Sequence, residues 1–130
     1  MKNKTAYWLE LCDDDMLTAK ALLESKRLLH MGFFCHLMAE KALKAIIAET
    51  TDDIPPRTHD LEKLAILGGI AADLSEDQLA LLDDLGPLHI EARYPRHKAK
   101  IAATLTVKGC EQLLSKTEEF VCWIKQKLSK

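Results

Sequence analysis

The segment FFCHLMAEKALKAII, Phe33 to Ile47, decides the fold class of this chain. Its apolar side chains surround nearly the whole circumference of a helix, which is typical of a central helix that contacts several neighbours. Three of its ionisable residues recur at intervals of four: His36, Glu40 and Lys44. Residues four apart lie on the same face of a helix, so the segment predicts a buried helix with one line of polar side chains.

The composition of the 130-residue chain favours an all-α protein. Hydrophobic residues make up 48% of the sequence and charged residues 29%, while five glycines and four prolines leave few sites for turns. This length is sufficient for one domain with its own hydrophobic core. We therefore expect a single domain over residues 1–130, built as an up-and-down bundle of four to five helices.

Breaks in the pattern predict where the first helices begin and end. The first helix is expected to begin at Thr5 as its N-cap and to run to about Leu29. Gly32 is expected to break the chain before a second helix over residues 33–49. The segment TTDDIPPR, residues 50–57, then predicts a loop, because its two prolines cannot lie in a helix interior.

Caps and breakers also predict the third and fourth helices. Thr58 is expected to cap the third helix, which runs to about Leu67. Ser75 and Gln78 have the spacing of a capping box at the start of the fourth helix. Its buried face is expected to consist of Leu79, Leu82 and Leu85. The Gly-Pro pair at positions 86–87 is expected to kink or end that helix.

A last long helix is expected after Thr104 or Thr106, either of which can cap it. Apolar positions recur there in alternating steps of three and four, which places them on one stripe. The stripe consists of Cys110, Leu113, Leu114, Thr117, Phe120, Val121, Ile124 and Leu128. The pattern predicts an amphipathic helix that packs this stripe into the core.

The cysteines and the N-terminal residues indicate the cellular compartment in which the protein is expected. Cys12, Cys35, Cys110 and Cys122 lack C-x-x-C spacing and fall within apolar helical patterns, so we expect buried free thiols rather than disulfides or metal ligands. No apolar run approaches the roughly 20 residues that cross a bilayer. The N-terminal stretch becomes acidic too early for a signal peptide. The sequence predicts a cytoplasmic protein without a membrane segment, a metal or a cofactor.

Three short motifs occur in a characteristic order and spacing. They are FCHLMAEKALKAII on the second helix, THDLEKL at the start of the third and ARYP after the fourth. Together they resemble the HEPN domain in its small stand-alone prokaryotic form, and the resemblance covers the chain from Ala19 through the last helix. It implies a bundle that forms homodimers and acts in RNA cleavage, in nucleotide binding, or with a partner nucleotidyltransferase. Several members of that family are the toxin half of toxin–antitoxin pairs.

The ribonucleases of that family resemble one another in an Arg followed, after four to six residues, by a His. Here the nearest pair, Arg93 and His97, is separated by three residues, and Arg96 is adjacent to His97. This mismatch favours a dimerising module that binds a nucleotide, RNA or a partner protein. A metal-independent endoribonuclease toxin that uses Arg93 and His97 is the alternative hypothesis. A purely structural interaction domain is a third.

The basic segment around Arg93 is the candidate anion-binding site. An Arg can bind phosphate oxygens, and a His that titrates near neutral pH can take the 2′-hydroxyl proton of RNA. Arg93 and His97 are therefore the catalytic candidates of the enzyme hypothesis. The candidate ligand-binding residues are Arg93, Tyr94, Arg96 and His97 in this segment, together with His36, Glu40, Lys44 and His59.

Glu40 requires a partner, because an unpaired charge on a buried helix is costly. The expected partner is Arg93 or His59, and such a contact favours a structural role over acid–base catalysis. Arg93 can alternatively pair with Glu91. His59 is expected to cap or pack at the start of the third helix. The sequence assigns no role to His30 or His89.

Overall fold

A computed structural model describes residues 1–91 and 105–129, and for residues 90 and 91 the backbone alone. Within these ranges the chain forms five α-helices and a short 3₁₀ helix, Ala71–Asp73, and no strand. The α-helices are α1 (Asn3–Glu24), α2 (Leu28–Thr50), α3 (Leu61–Leu67), α4 (Glu76–Glu91) and α5 (Val107–Leu128). The predicted all-α helical bundle is confirmed.

α1 and α2 form an antiparallel pair joined by a short turn. Thr5 near the start of α1 donates its hydroxyl hydrogen to Glu49 Oε1 near the end of α2, at 2.8 Å. Further along, Cys12 Sγ lies 3.3 Å from the carbonyl oxygen of Met38. These contacts show that the two helices run in opposite directions along most of their length.

α5 packs against the pair formed by α1 and α2 and runs antiparallel to α1. Lys125 near its end contacts Asp13 at 2.8 Å, while Glu118 lies 3.6 Å from Lys20 near the end of α1. Thr106 is the N-cap, and its hydroxyl accepts from the Gly109 N–H at 3.0 Å. The predicted stripe is buried at Cys110, Leu114, Thr117, Phe120, Val121 and Ile124, and packs half-buried at Leu113 and Leu128.

α2 is the central helix of the bundle. Fifteen of its 23 residues are buried, and it contacts α1, α3, α4 and α5. Its fully buried Met31, Met38 and Leu43 meet core residues of the surrounding helices, such as Leu85 and Phe120. Burial of each such side chain contributes roughly 1.5–3 kcal/mol, so the apolar circumference of α2 is the main source of the core.

The predicted break at Gly32 is wrong, because the chain turns earlier. α1 ends at Glu24, and Lys26 takes the left-handed conformation at φ 61°. The N–H groups of Lys26 and Arg27 then bond back to the carbonyls of Leu23 and Leu22, as in a Schellman motif. Gly32 instead lies inside α2, where a Cβ atom would meet Leu88 Cδ1 at 3.0 Å. The glycine allows α2 and α4 to approach each other closely.

α4 is capped as predicted but continues through its proline. The Ser75 hydroxyl accepts from the Gln78 N–H at 3.1 Å, and the Gln78 amide oxygen accepts from the Ser75 N–H at 2.9 Å. Pro87 lies within the helix. Because proline has no N–H group, the carbonyl of Asp83, four residues earlier, has no helical hydrogen-bond donor. Asp83 and Pro87 are both exposed, so water can bond to that carbonyl. The apolar face continues past the proline and keeps the helix on the core. It comprises Leu81, Leu82, Leu85 and Leu88, while the predicted Leu79 is exposed.

α3 begins three residues after the predicted cap. Asp60 is the N-cap, and its carboxylate accepts from the Lys63 N–H at 3.2 Å. The hydroxyl of Thr58 accepts from the Asp60 N–H at 3.2 Å instead, which orders the turn ahead of the helix. His59 therefore lies in the turn that leads into α3, where its ring can face α2.

Candidate functional site

A cluster of polar side chains lies where α2, α4 and the turn before α3 meet. α2 contributes His36, Glu40 and Lys44, whose intervals of four residues place them on one face. All three are buried, with exposed fractions of 0%, 4% and 6%. We call these three residues, together with His59 and His89, the Glu40 cluster.

Glu40 is the centre of the cluster because both of its carboxylate oxygens are engaged. Oε1 lies 2.7 Å from Nδ1 of His59 and 3.3 Å from Nε2 of His36. Oε2 accepts a hydrogen bond from Nζ of Lys44 at 3.1 Å. Of the two partners that the sequence predicted for Glu40, His59 makes the contact.

Glu40 remains ionised despite its position inside the bundle. Burial by itself raises the pKa of a carboxyl group, but the contacts with His36 and His59 and the charge of Lys44 outweigh it and hold the pKa of Glu40 at about 2. Lys44 also lies over the ring of Trp8, 5.5 Å from its centroid, which gives the ammonium group a second favourable contact. The cluster thus holds an opposite-charge pair away from solvent.

His89 of α4 completes the cluster through ring contacts. Its ring stacks on His59 with centroids 3.9 Å apart and an interplanar angle of 25°. The same ring lies 4.8 Å from the centroid of His36 and 5.3 Å from that of Phe33. α4 is therefore fixed to α2 and to the turn before α3 in its last described turn.

The residues of the cluster differ in their exposure. The side chain of His59 is 48% exposed, whereas His36 and His89 are buried. Because Oε1 of the ionised Glu40 can only accept, Nδ1 of His59 must carry the hydrogen that it donates. This bond fixes the orientation of the one ring in the cluster that solvent reaches.

The predicted site residues fall into two groups. The structure brings His36, Glu40, Lys44 and His59 together, as described above. Arg93, Tyr94, Arg96 and His97 lie outside the described residues, and so do the alternative contacts of Arg93 with Glu91 and with Glu40. Whether either group binds a ligand stays a prediction.

His89 is the residue that the sequence interpretation missed. The expected break at Gly86–Pro87 separated it from the buried face of α4. Carried through the proline, the spacing of Leu81, Leu85 and His89 at intervals of four places His89 on the buried face. This interval of four was therefore the sequence signal that could have placed His89 in the core.

The expectation of buried free thiols holds for three of the four cysteines. Cys12, Cys35 and Cys110 are free and buried, while Cys122 is free and exposed. Within the described part of the chain, no helix is both long and apolar enough to cross a membrane.

Comparisons with known proteins give a match to one family model. No curated protein and no solved structure matches this sequence. The family model of the HEPN domain matches residues 5–127, which include all of α2–α4, nearly all of α1 and α5, and the whole Glu40 cluster. The chain belongs to the HEPN domain family.

Proposed function

We propose that this protein is a dimerising HEPN module that binds a nucleotide or RNA through the phosphates. The proposed contacts are made by the basic segment, residues 93–100. This segment carries Arg93, Arg96, Lys98 and Lys100, and no acidic residue occurs between Glu91 and Glu111. Guanidinium and ammonium groups bind phosphate oxygens by charge-assisted hydrogen bonds.

The observation that supports this proposal is the anchoring of α4 by the Glu40 cluster. His89, in the last described turn of α4, packs against His36 of α2 and His59 before α3. The basic segment follows α4 directly in the sequence. A cationic segment that starts from a fixed helix end loses less conformational freedom on binding than one that starts from a free end.

The charges of the cluster are compatible with a bound anion nearby. Glu40 is the one carboxylate of the cluster, and Lys44 neutralises it at 3.1 Å. His59 is half-exposed and adds a polar ring to the same region. Lys44 therefore weakens the repulsion between Glu40 and a phosphate that the basic segment binds.

Protein contacts form a second part of the proposal. Several large apolar side chains outside the cluster are well exposed, among them Ile54 at 88%, Ile66 at 66%, Leu17 at 64% and Tyr7 at 56%. An apolar side chain that is exposed in the single chain gains free energy when it is buried against another protein surface. We propose a second copy of this chain as that partner, and a nucleotidyltransferase of a toxin–antitoxin pair as a further partner. The three buried free thiols support a reducing, cytoplasmic location.

Fluorescence anisotropy with labelled single-stranded RNA, and a thermal-shift titration with ATP, test the phosphate contacts. We expect the Arg93→Ala/Arg96→Ala double variant to bind both probes more weakly than the wild type, while Lys98 and Lys100 retain part of the affinity. The matched control is Lys4→Ala/Arg27→Ala, which removes the same charge from α1 and from the residue before α2 and should bind as the wild type does. Wild-type protein that binds neither probe would contradict the proposal and leave the interaction-domain hypothesis.

Expression in growing cells separates binding from RNA cleavage. The binding proposal expects continued growth and intact cellular RNA. A growth arrest that His97→Ala removes would support the metal-independent endoribonuclease hypothesis instead. Light scattering of the purified chain tests the second copy, and a monomer at all accessible concentrations would contradict dimerisation.

A further inference from the structure

We propose that His36, Glu40 and His89 bind one divalent transition-metal ion of the zinc class. One ligand atom from each of these residues lies within 4.8 Å of the other two, and all three residues are buried. Neither the binding of phosphate nor dimerisation requires this ion, so the inference is independent of the proposed function.

The hydrogen bonding of His36 points to a cation beside it. Its Nδ1 lies 3.0 Å from the carbonyl oxygen of Leu85, which can only accept, so Nδ1 carries a hydrogen. Its Nε2 is buried, makes no hydrogen bond of acceptable geometry and lies 3.3 Å from Oε1 of Glu40. In a neutral ring that nitrogen presents a lone pair to a carboxylate oxygen, which is repulsive. Either a second proton on the ring or a bound cation between the two atoms removes the repulsion.

The spacing of these two atoms fits a metal better than a hydrogen bond. N–H···O bonds to charged groups are usually about 2.7–2.9 Å long. Two ligands on a tetrahedral zinc ion, each about 2.0–2.1 Å from the metal, are separated by about 3.3 Å. The observed separation of His36 Nε2 and Glu40 Oε1, 3.3 Å, matches the second value.

The surroundings of the ligands are those that metal-binding side chains require. A histidine ligand usually donates its other ring N–H to a carbonyl or carboxylate, as Nδ1 of His36 does to Leu85. A carboxylate ligand is in turn hydrogen-bonded, and Glu40 accepts from His59 on one oxygen and from Lys44 on the other. These bonds orient the ligand atoms before an ion binds.

The ligand set selects the class of metal. Two imidazoles and one carboxylate suit zinc and its neighbours among the transition metals, whereas calcium and magnesium prefer oxygen ligands. The positive charge of Lys44, next to Oε2 of Glu40, lowers the affinity of the site for every cation. Only ions that form strong bonds to imidazole are therefore expected to bind. Three protein ligands leave one tetrahedral position, which water can reach past the half-exposed ring of His59.

A cobalt titration of the untagged, chelator-treated chain tests this site. The background variant is Cys122→Ser, which removes the exposed thiol as a competing ligand. We expect one equivalent of Co²⁺ to produce the visible absorption of a tetrahedral complex, and Zn²⁺ to displace it. His36→Gln and His89→Gln should each lose this signal, while His30→Gln, a histidine outside the cluster, should keep it.

X-ray absorption of the zinc-loaded Cys122→Ser variant identifies the metal ligands without any substitution of the histidines. It therefore tests the site even if the histidine variants fail to fold. The expected spectrum shows scattering from two imidazole rings. Absence of stoichiometric uptake, a signal unchanged in His36→Gln, or scattering from sulfur would each overturn the proposal. The first of these results would mean that a second proton on the His36 ring, and not a bound cation, removes the repulsion from Glu40.

Discussion

Oε1 of Glu40 and Nδ1 of His59 lie 2.7 Å apart and join the middle of α2 to the turn before α3. Oε2 of the same carboxylate is bonded to Lys44 at 3.1 Å. A single buried carboxylate thus links two segments of the chain that are distant in sequence. Its removal leaves Lys44 buried without an anion.

We expect Glu40→Gln to lower the free energy of unfolding by about 3 kcal/mol at neutral pH, because the variant leaves a buried ammonium group without its counter-charge. Urea denaturation in the presence of a chelator measures this change. The control is Glu10→Gln on the exposed face of α1, which should change stability by less than about 0.5 kcal/mol. Equal effects of the two substitutions would show that Glu40 contributes no specific charge interaction.

The stability that Glu40 contributes should depend on pH. Although burial opposes it, the hydrogen bonds and the charge around Glu40 lower its pKa from 4.5 to about 2 in the folded protein. A group whose pKa is lower when folded stabilises the protein above its unfolded pKa and loses that effect as the pH falls. The difference in unfolding free energy between wild type and Glu40→Gln should therefore be full at pH 6 and shrink between pH 4.5 and about 2. A difference that stays constant over this range would contradict the low pKa.

Two glycines inside helices should respond oppositely to alanine. A Cβ atom at Gly86 meets nothing within 4 Å, so Gly86→Ala should stabilise the protein by up to about 1 kcal/mol through helix propensity. At Gly32 the added atom meets Leu88 at 3.0 Å, and overpacking of this kind costs about 1–3 kcal/mol. Thermal unfolding of the two variants should rank Gly86→Ala above wild type and Gly32→Ala below it. The reverse order would contradict the close approach of α2 and α4.

The four thiols should differ in reactivity. Burial raises the pKa of Cys12 and of Cys35 to about 12 and raises that of Cys110 as well, so the reactive thiolate is rare at these positions. Cys122 is exposed. Mass spectrometry after brief alkylation of the native protein should show one modified cysteine, and Cys122→Ser should remove it. Modification of all four residues in urea is the positive control, while rapid labelling of Cys35 in the native protein would contradict its burial.

Patterns that are local in the sequence predicted the structure well. The stripe of α5, its cap at Thr106 and the capping box of α4 depend on residues within a few positions of one another. The contact between Glu40 and His59 followed from a different principle, since a charge on a buried helix requires a partner. The stripe and the caps do not depend on how the helices pack, and the contact of Glu40 required only that α2 be buried.

The features that the sequence did not predict depend on contacts between helices. Gly32 looked like a break, but Leu88 of a distant helix fills the space beside it. Pro87 was expected to kink or end the helix, but the packing of Leu85 and Leu88 continues the helix on the core. The same error removed His89 from consideration, because its place in the Glu40 cluster requires that α4 continue past the proline.

The salt dependence of RNA affinity tests most directly the claim that the basic segment binds phosphates. For single-stranded RNA, each lost phosphate contact should lower the slope of log affinity against log salt by about 0.7, because fewer counterions are released. We expect the slope to be smaller by about 1.4 in Arg93→Ala/Arg96→Ala and unchanged in Lys4→Ala/Arg27→Ala. Equal slopes in the wild type and the Arg93→Ala/Arg96→Ala variant would contradict phosphate binding by these two arginines.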